Sequence, residues 1–315
     1  MKTEKNIQEA ISYQQHGVLN LNKPKGLTST QCLEKIKKAL KQKKIGHAGT
    51  LDPMAEGVLV VLLGEATKLE PYLRSKDKVY WGWIKLGQRT DTYDTEGTIL
   101  EERSLENITE EAIQSEINFW LEIEQQEVPE YSAAKYKGKP LYERKRKGEK
   151  LPQKTKSVRI KQVDILDMEL PFVQFWVKCS PGTYIRSLAH SLGRRLGCGA
   201  VLTKLVREES YPFSLSLAQD LETVLSEPEN LSGRILSFCS ALADWPKGYL
   251  TQEQTERVKN GKWLKTEEIL DLTTDKEDKQ AILLSPQRIP VALVQSKQGE
   301  HSLNWAILRG FGSFN

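Results

Sequence analysis

Residues 46–59 read GHAGTLDPMAEGVL and form the most unusual stretch of the chain. Its three glycines permit tight turns and a close approach of a ligand to the backbone. Asp52 precedes Pro53, which stiffens the segment that carries the carboxylate. Because Asp before Pro is also typical of a helix N-cap or a turn, the dipeptide alone is compatible with a structural role. Gly46 and Gly49 match the Gly-x-x-Gly loop of a KH domain, a pattern that occurs by chance in a chain with 21 glycines.

The segments on either side of this stretch predict strands and one helix. Short runs rich in β-branched or alternating apolar residues predict strands at residues 17–21, 58–63 and 78–86. A turn over Lys23–Gly26 ends the first strand. Residues 28–30 (TST) offer an N-cap to a helix that continues to about Leu40, with its apolar side chains on one stripe.

The rest of the chain continues this mixture. We predict a helix at residues 109–121, a strand at 173–177, and a helix that opens at Gly182 or Thr183 and ends at Gly197. Residues 245–248 (WPKG) mark a boundary. Beyond it we predict a helix at 252–260, a charged loop at 271–280, and strands near 281–284, 291–295 and 302–308. Because strands and helices do not alternate strictly, the predicted class is α+β.

The composition excludes several classes of protein. A chain of 315 residues with 38% hydrophobic and 28% charged residues is typical of about two globular domains. The longest apolar run, Val58–Leu63, has six residues, whereas a membrane-spanning helix needs about twenty. Residues 1–15 contain no apolar stretch of a signal peptide. The four cysteines and four histidines show no disulfide-framework or zinc-binding spacing, so we predict a cytoplasmic protein without a metal site.

Charge is segregated along the chain, although the net charge is only +4. Residues 91–130 contain 13 acidic side chains and one basic side chain, whereas residues 131–161 contain 12 basic and two acidic ones. A second basic block at residues 33–44 has six lysines and one glutamate. Such blocks usually form a solvated surface. In residues 131–161, however, tyrosines alternate with the cations, a pattern that suits phosphates and stacked bases of RNA or DNA.

Taken whole, residues 46–59 resemble the G-H-x-G-T-L-D-P-x-A-x-G-V-L signature of the TruB family of tRNA pseudouridine synthases. Five further blocks resemble family motifs: residues 17–26 (GVLNLNKPKG), 63–68 (LGEATK), 78–92, 129–135 and 179–188 (CSPGTYIRSL). The resemblance covers about residues 17–213. The tail after Tyr249 resembles a small PUA domain more loosely. A departure lies at Val206, where the family often has an arginine before the one that matches Arg207.

The resemblance implies an architecture. It implies an α+β pseudouridine synthase catalytic domain with a central mixed, mostly antiparallel sheet, followed by a small PUA-like β domain. The boundaries that we predict are an N-terminal extension at residues 1–16, the catalytic domain at 17–247 and the PUA-like RNA-binding domain at 248–315.

The family implies an isomerisation within RNA at the uridine in position 55 of the tRNA T-loop. The uracil–ribose C–N bond breaks, the base turns, and C5 rejoins the sugar carbon, so no cofactor is consumed. One ionised carboxylate is needed, as a nucleophile at C1′ or a base at the 2′ carbon. The resemblance places Asp52 in that role and Arg186 as its partner. It places Tyr80 against the flipped base.

Further residues are implied as substrate-binding. His47 would lie near the flipped nucleotide, Lys23 would brace the loop, and Leu205 would form an apolar pocket. The remaining RNA contacts that we predict are Arg207, Lys135 and Arg146. The expected partner is tRNA, which the two basic blocks would bind at the T-arm and the C-terminal domain at the acceptor stem. We predict a monomer that needs no obligatory protein partner and does not bind a membrane. Two alternatives are a guide-dependent rRNA-modifying enzyme and a non-catalytic RNA-binding protein or tRNA-folding chaperone.

Overall fold

A computed structural model describes residues 14–272, 280–298 and 303–312. Most of the predicted N-terminal extension, residues 1–13, lies outside the described residues, as do residues 273–279 of the predicted charged loop.

The described residues form helices and strands throughout the chain. The α-helices are α1 (Ser29–Ala39), α2 (Glu70–Arg74), α3 (Glu110–Asn118), α4 (Leu141–Arg146), α5 (Ile185–Leu196), α6 (Leu221–Ser226), α7 (Phe238–Ala241) and α8 (Gln252–Lys259). Short 3-10 helices lie at Gly64–Leu69, Phe119–Glu122, Leu215–Leu217, Pro228–Arg234 and Thr266–Glu268. The strands are β1 (Gly17–Lys23), β2 (Ile45–His47), β3 (Ala55–Leu63), β4 (Lys78–Leu86), β5 (Gln88–Thr90), β6 (Ile99–Glu102), β7 (Gln125–Glu127), β8 (Lys135–Tyr136), β9 (Lys139–Pro140), β10 (Thr155–Ser157), β11 (Ile160–Glu169), β12 (Phe172–Cys179), β13 (Ala200–Ser210), β14 (Phe213–Ser214), β15 (Gln219–Asp220), β16 (Lys247–Tyr249), β17 (Leu264–Lys265), β18 (Gln280–Leu284), β19 (Pro290–Gln298) and β20 (Leu303–Gly310).

One large sheet forms the centre of the molecule. Its strand order is β11-β12-β4-β13-β3-β1-β15, with β2 beside β3 and β14 beside β13. The pairs β13–β3 and β1–β15 are parallel, and the other pairs are antiparallel. The sheet is therefore mixed and mostly antiparallel, which confirms the predicted fold class. Since β3 lies in the middle of the sheet, the loop that precedes it opens near the centre.

Local sequence explains how the helices begin and end. Thr28 caps α1, and its hydroxyl accepts a hydrogen bond from the backbone N–H of Gln31, whose side chain in turn binds the Thr28 N–H. Gly197 ends α5 in the left-handed conformation, as predicted. The predicted opening of α5 at Gly182 or Thr183 is wrong, because the helix begins at Ile185.

Four of the helices cover one face of the sheet. Buried apolar side chains of α1, α3, α5 and α6 pack with those of the strands in one cluster. Along the predicted helix at residues 109–121 the chain forms α3 and then a 3-10 turn, which places Trp120 in this core. The helices thus fix the strand ends at which the functional loops begin.

A second, smaller sheet follows in the order β16-β18-β19-β20-β17. A second apolar cluster joins Val58 and Val60 of β3 to Ile282 and Leu293 of this sheet, so the two sheets share buried surface. The predicted domain boundary, between residues 247 and 248, falls within β16, which begins the second sheet. The division into domains stays a prediction.

Within the described ranges, the longest apolar helical stretch is too short to cross a membrane. The four cysteines are free thiols.

Candidate active site

Residues 48–54 form the loop between β2 and β3, and the buried side chains of Lys23 and Ser29 bind the backbone in and beside it. Lys23 is fully buried, and its Nζ donates hydrogen bonds to the backbone carbonyls of Pro24 at 2.8 Å and Ala55 at 2.7 Å. Burial lowers the pKa of Lys23 below its ordinary value. The hydroxyl of Ser29 binds both backbone groups of Leu51. The loop is therefore fixed to β1 and to the start of α1.

A second buried cation holds the other side of the loop. Arg207 on β13 is 1% exposed, and its guanidinium donates to the carbonyl oxygens of Gly49 at 3.1 Å and Val58 at 2.6 Å. Gly57 lies against the backbone of Arg207 with a φ of +99°, and a Cβ at this position would lie 2.3 Å from the Arg207 carbonyl oxygen. A glycine is therefore required at this point, where the neighbouring strands β3 and β13 are in close contact.

The loop presents one carboxylate, that of Asp52, to the N-terminal turn of α5. Nε of Arg186 donates to Oδ2 of Asp52 at 2.8 Å. The Arg186 side chain is 5% exposed, whereas that of Asp52 is 35% exposed. The pair therefore has a buried cation and an accessible acid, an arrangement in which the acid can still reach a substrate.

Arg186 is itself held by three more groups. Its Nη atoms donate to the backbone carbonyls of Thr92 at 2.9 Å and Tyr131 at 3.0 Å, and Nη1 lies 3.6 Å from Oδ2 of Asp94. Asp94 is buried, and this burial raises the pKa of its carboxyl, against the stabilising effect of Thr92 and Arg186. The guanidinium is thus fixed in orientation before any substrate binds.

The Asp52–Arg186 pair lines a cavity of about 260 Å³. Tyr80 from β4 and Leu205 from β13 supply an apolar wall, and both side chains are almost completely buried. Burial raises the pKa of the Tyr80 hydroxyl. The cavity combines one acid, a flat ring and an apolar side chain, which suits a planar base joined to a sugar.

Lys78 lines the same cavity, and its Nζ donates to the carbonyls at the end of α2 and in the turn that follows, with the shortest distance, 2.6 Å, to Lys76. Burial, together with the nearby charge of Arg207, lowers the pKa of Lys78 to about 7. The cavity therefore contains an amine that can lose its charge near neutral pH.

The predicted site residues divide into two groups. Asp52, Tyr80, Arg186, Leu205 and Arg207 line the cavity together. The remaining ones, Lys23, His47, Lys135 and Arg146, lie outside its lining.

The residues outside the lining have different surroundings. Lys23 binds the backbone carbonyls of Pro24 and Ala55, beside the loop. His47 ends β2, and its Nδ1 is buried with no hydrogen-bond partner among the described residues. Burial lowers the pKa of His47 to about 4, with the charges of Arg207 and Arg74 in support, so its imidazole is neutral at physiological pH.

The basic block at residues 131–161 makes several of its contacts within itself. Lys137, Arg144 and Lys154 lie 5.0–5.5 Å from the ring centre of Tyr136, so that ring is already covered by cations. Arg146 lies 5.8 Å from the ring centre of Tyr142 on the surface. Lys135 is exposed at the start of β8. The two predicted RNA contacts in this block therefore lie at the surface and outside the lining of the cavity.

Several residues of the site were missed from the sequence. Asp94 lies in the Thr-rich segment of residues 90–95, but its role depends on a guanidinium 92 positions away, which only the fold brings near. Gln126 binds both backbone groups of Tyr184 with its amide, at 2.8 and 3.0 Å, and so holds the start of α5. An isolated glutamine within an acidic block gives no signal of this contact.

Comparisons with known proteins identify the family of this chain. The family described as TruB family pseudouridylate synthase (N terminal domain) matches residues 37–185. A protein named tRNA pseudouridine synthase B from Oleidesulfovibrio alaskensis is 51% identical over 300 residues, which cover 94% of this chain and 96% of that protein. A protein of the same name from Nitratidesulfovibrio vulgaris is 49% identical over 303 residues, which cover 95% and 99% of the two chains.

Solved structures show the same fold. A chain from an H/ACA RNP bound to a substrate RNA containing 2′-deoxyuridine superposes with a TM-score of 0.70 at 24% identity, and the match covers 96% of this chain and 87% of that one. A chain from a Cbf5–Nop10–Gar1 complex gives the same TM-score and identity, with 96% and 86% covered. At this identity the likeness concerns the fold alone.

Proposed function

This chain belongs to the TruB family of pseudouridylate synthases and is an isomerase that forms pseudouridine in tRNA, and we propose that its target is the uridine at position 55 of the T-loop. We also propose that Asp52 carries the reaction. The observation that supports this assignment best is the contact of 2.8 Å between the accessible carboxylate of Asp52 and the buried guanidinium of Arg186, inside the cavity.

We propose a role for each of these groups in the cavity. A flipped uridine places its base between Tyr80 and Leu205, with the ribose at Asp52. The ionised carboxylate then acts at the ribose, as a nucleophile at C1′ or as a base at the 2′ carbon. Either role requires the charged form of the carboxylate, and Arg186 places a permanent cation against it. The uracil leaves with the electron pair of its bond to C1′ and turns, and C5 then bonds to C1′. In the nucleophilic route this breaks the bond between C1′ and Asp52, and in the other route Asp52 returns the proton to the 2′ carbon. C5 finally loses its proton to solvent, and N1 gains one.

The remaining RNA contacts follow from charge. We assign the T-arm phosphates to the basic blocks at residues 33–44 and 131–161, with Lys135 and Arg146 at the surface of the second block. The C-terminal sheet is assigned to the acceptor stem. Residues 251–315 carry nine basic and nine acidic side chains, so this contact depends on shape more than on charge. We propose a monomer that works in the cytoplasm without a cofactor, an accessory protein or a guide RNA.

The test uses tRNA transcripts that carry tritium at uracil C5, because formation of pseudouridine expels that hydrogen. Wild-type protein alone is expected to release tritium, and Asp52→Asn is expected to release none while still binding tRNA. Asp164→Asn, the same change at an exposed position on β11, is the matched control and retains release.

A transcript with cytidine in place of the T-loop uridine tests the position. Release that persists with this transcript would overturn the assignment of position 55. Release that needs an added guide RNA would favour a guide-dependent enzyme. Tight binding of tRNA by wild-type protein without any release would favour a non-catalytic RNA-binding protein or tRNA-folding chaperone.

A further inference from the structure

The cavity contains more positive charge than its single carboxylate can balance. Five cations line it, Arg74, Lys78, Lys156, Arg186 and Arg207, and one acid, Asp52. Three of the cations already have partners within the site. Arg186 binds Asp52, and Lys78 and Arg207 bind backbone carbonyls. The other two, Arg74 and Lys156, lie at the surface of the protein, where the cavity opens.

Lys156 has no acidic partner and no side-chain hydrogen bond among the described residues. Its ammonium packs on Gly182, so closely that a Cβ at Gly182 would lie 1.7 Å from Nζ. Partial burial and the charge of Arg74 both lower the pKa of Lys156. Lys156 and Arg74 line the same cavity and are both exposed to solvent, so two cations stand at a surface that an anion can reach.

The N-terminal end of α5 adds to the positive charge at the cavity. Residues 182–185, which lead into this helix, line the cavity between Lys156 and Arg186. The first turn of α5 contains no acidic side chain of its own, so Asp52 is the one carboxylate of the cavity lining that faces the positive end of the helix dipole. A helix N-terminus combined with lysine and arginine side chains is a common arrangement for binding phosphate.

We propose that Arg74, Lys156 and the start of α5 bind a backbone phosphate of the RNA, adjacent to the nucleotide that enters the cavity. The proposal rests on the proposed function, because it places the ribose of that nucleotide at Asp52. Arg74 also pairs with Glu70 at 3.3 Å, a contact exposed to solvent that a phosphate replaces at little cost. The site holds the sugar–phosphate backbone while the base is turned.

The test measures the affinity of a T-arm stem-loop RNA with single neutral methylphosphonate linkages, placed 5′ or 3′ of the target uridine. With wild-type protein, one of the two linkages is expected to weaken binding about tenfold, the range of a lost charged hydrogen bond. The double variant Arg74→Gln, Lys156→Gln is expected to bind the unmodified RNA about tenfold more weakly and to lose nothing further with that methylphosphonate.

The matched control removes two cations elsewhere. Lys204→Gln, Arg234→Gln takes away a lysine packed on Trp81 and an arginine paired with Glu227, neither of which lines the cavity. This variant should retain the full methylphosphonate effect. Equal, additive losses from the linkage and from the cavity variant would overturn the phosphate site. Tritium release by the wild type is a separate assay of turnover, so the proposed function is tested independently of this binding measurement.

Discussion

The buried position of Lys78 predicts how the stability of the protein depends on pH. It is 4% exposed, and burial lowers its pKa from 10.5 to about 7. At about 1.4 kcal/mol per pH unit, this difference corresponds to about 5 kcal/mol. In the window between the two pKa values the folded protein holds a neutral amine and the unfolded chain an ammonium. The unfolded state then binds more protons, so the free energy of unfolding rises with pH through this window.

The perturbation is Lys78→Met, and the measurement is urea unfolding of both proteins over a pH series. The wild type should gain stability relative to the variant by about 2.5 kcal/mol between about pH 7.5 and about pH 9.5. The carbonyls that lose their donor in the variant shift its curve by a constant amount, and groups common to both proteins cancel in the difference. A difference that stays flat over this range would refute the assigned burial of the ammonium.

Two further predictions concern the loop and its partner. Arg186→Lys keeps the charge but loses the fixed fork of donors, so we expect the rate of a single turnover to fall about 100-fold while binding of tRNA changes little; a fall of less than about tenfold would contradict the positioning of Asp52 by Arg186. Gly57→Ala forces a Cβ against the Arg207 carbonyl and should lower the free energy of unfolding in urea by about 3 kcal/mol. Gly26→Ala, at φ +87° in open space, should lower it by about 1 kcal/mol. Equal losses for the two variants would rule out the steric argument.

Much of the fold follows from local sequence. The alternating and β-branched runs predict β3 and β4 correctly because each strand is buried in the sheet over most of its length. The TST sequence at residues 28–30 predicts the start of α1, since a capping box depends on side chains only three positions apart. Such signals are encoded within one turn or one strand, and a single sequence is sufficient to find them.

Contacts between distant segments are harder to predict. The start of α5 differs from the prediction because Gln126, 58 positions earlier, binds the backbone of Tyr184 in place of a side-chain cap. Three cations of the same block, Lys137, Arg144 and Lys154, lie 5.0–5.5 Å from the ring centre of Tyr136, an arrangement that the alternating pattern does not specify. Both outcomes depend on how the chain folds back on itself, and residue spacing carries no record of it.

The site also shows how a catalytic loop can be held rigid without using its carboxylate for the purpose. Lys23 and Arg207 bind the loop through backbone carbonyls on its two sides, so its conformation is set before Asp52 forms any contact. Arg186 binds Oδ2 of Asp52 through Nε, while its Nη atoms bind two carbonyls and lie near Asp94. Among the described residues no hydrogen bond is made to Oδ1 of Asp52, so this oxygen is available to the ribose. A loop held by its own aspartate would have to break that contact in order to react, whereas this one does not.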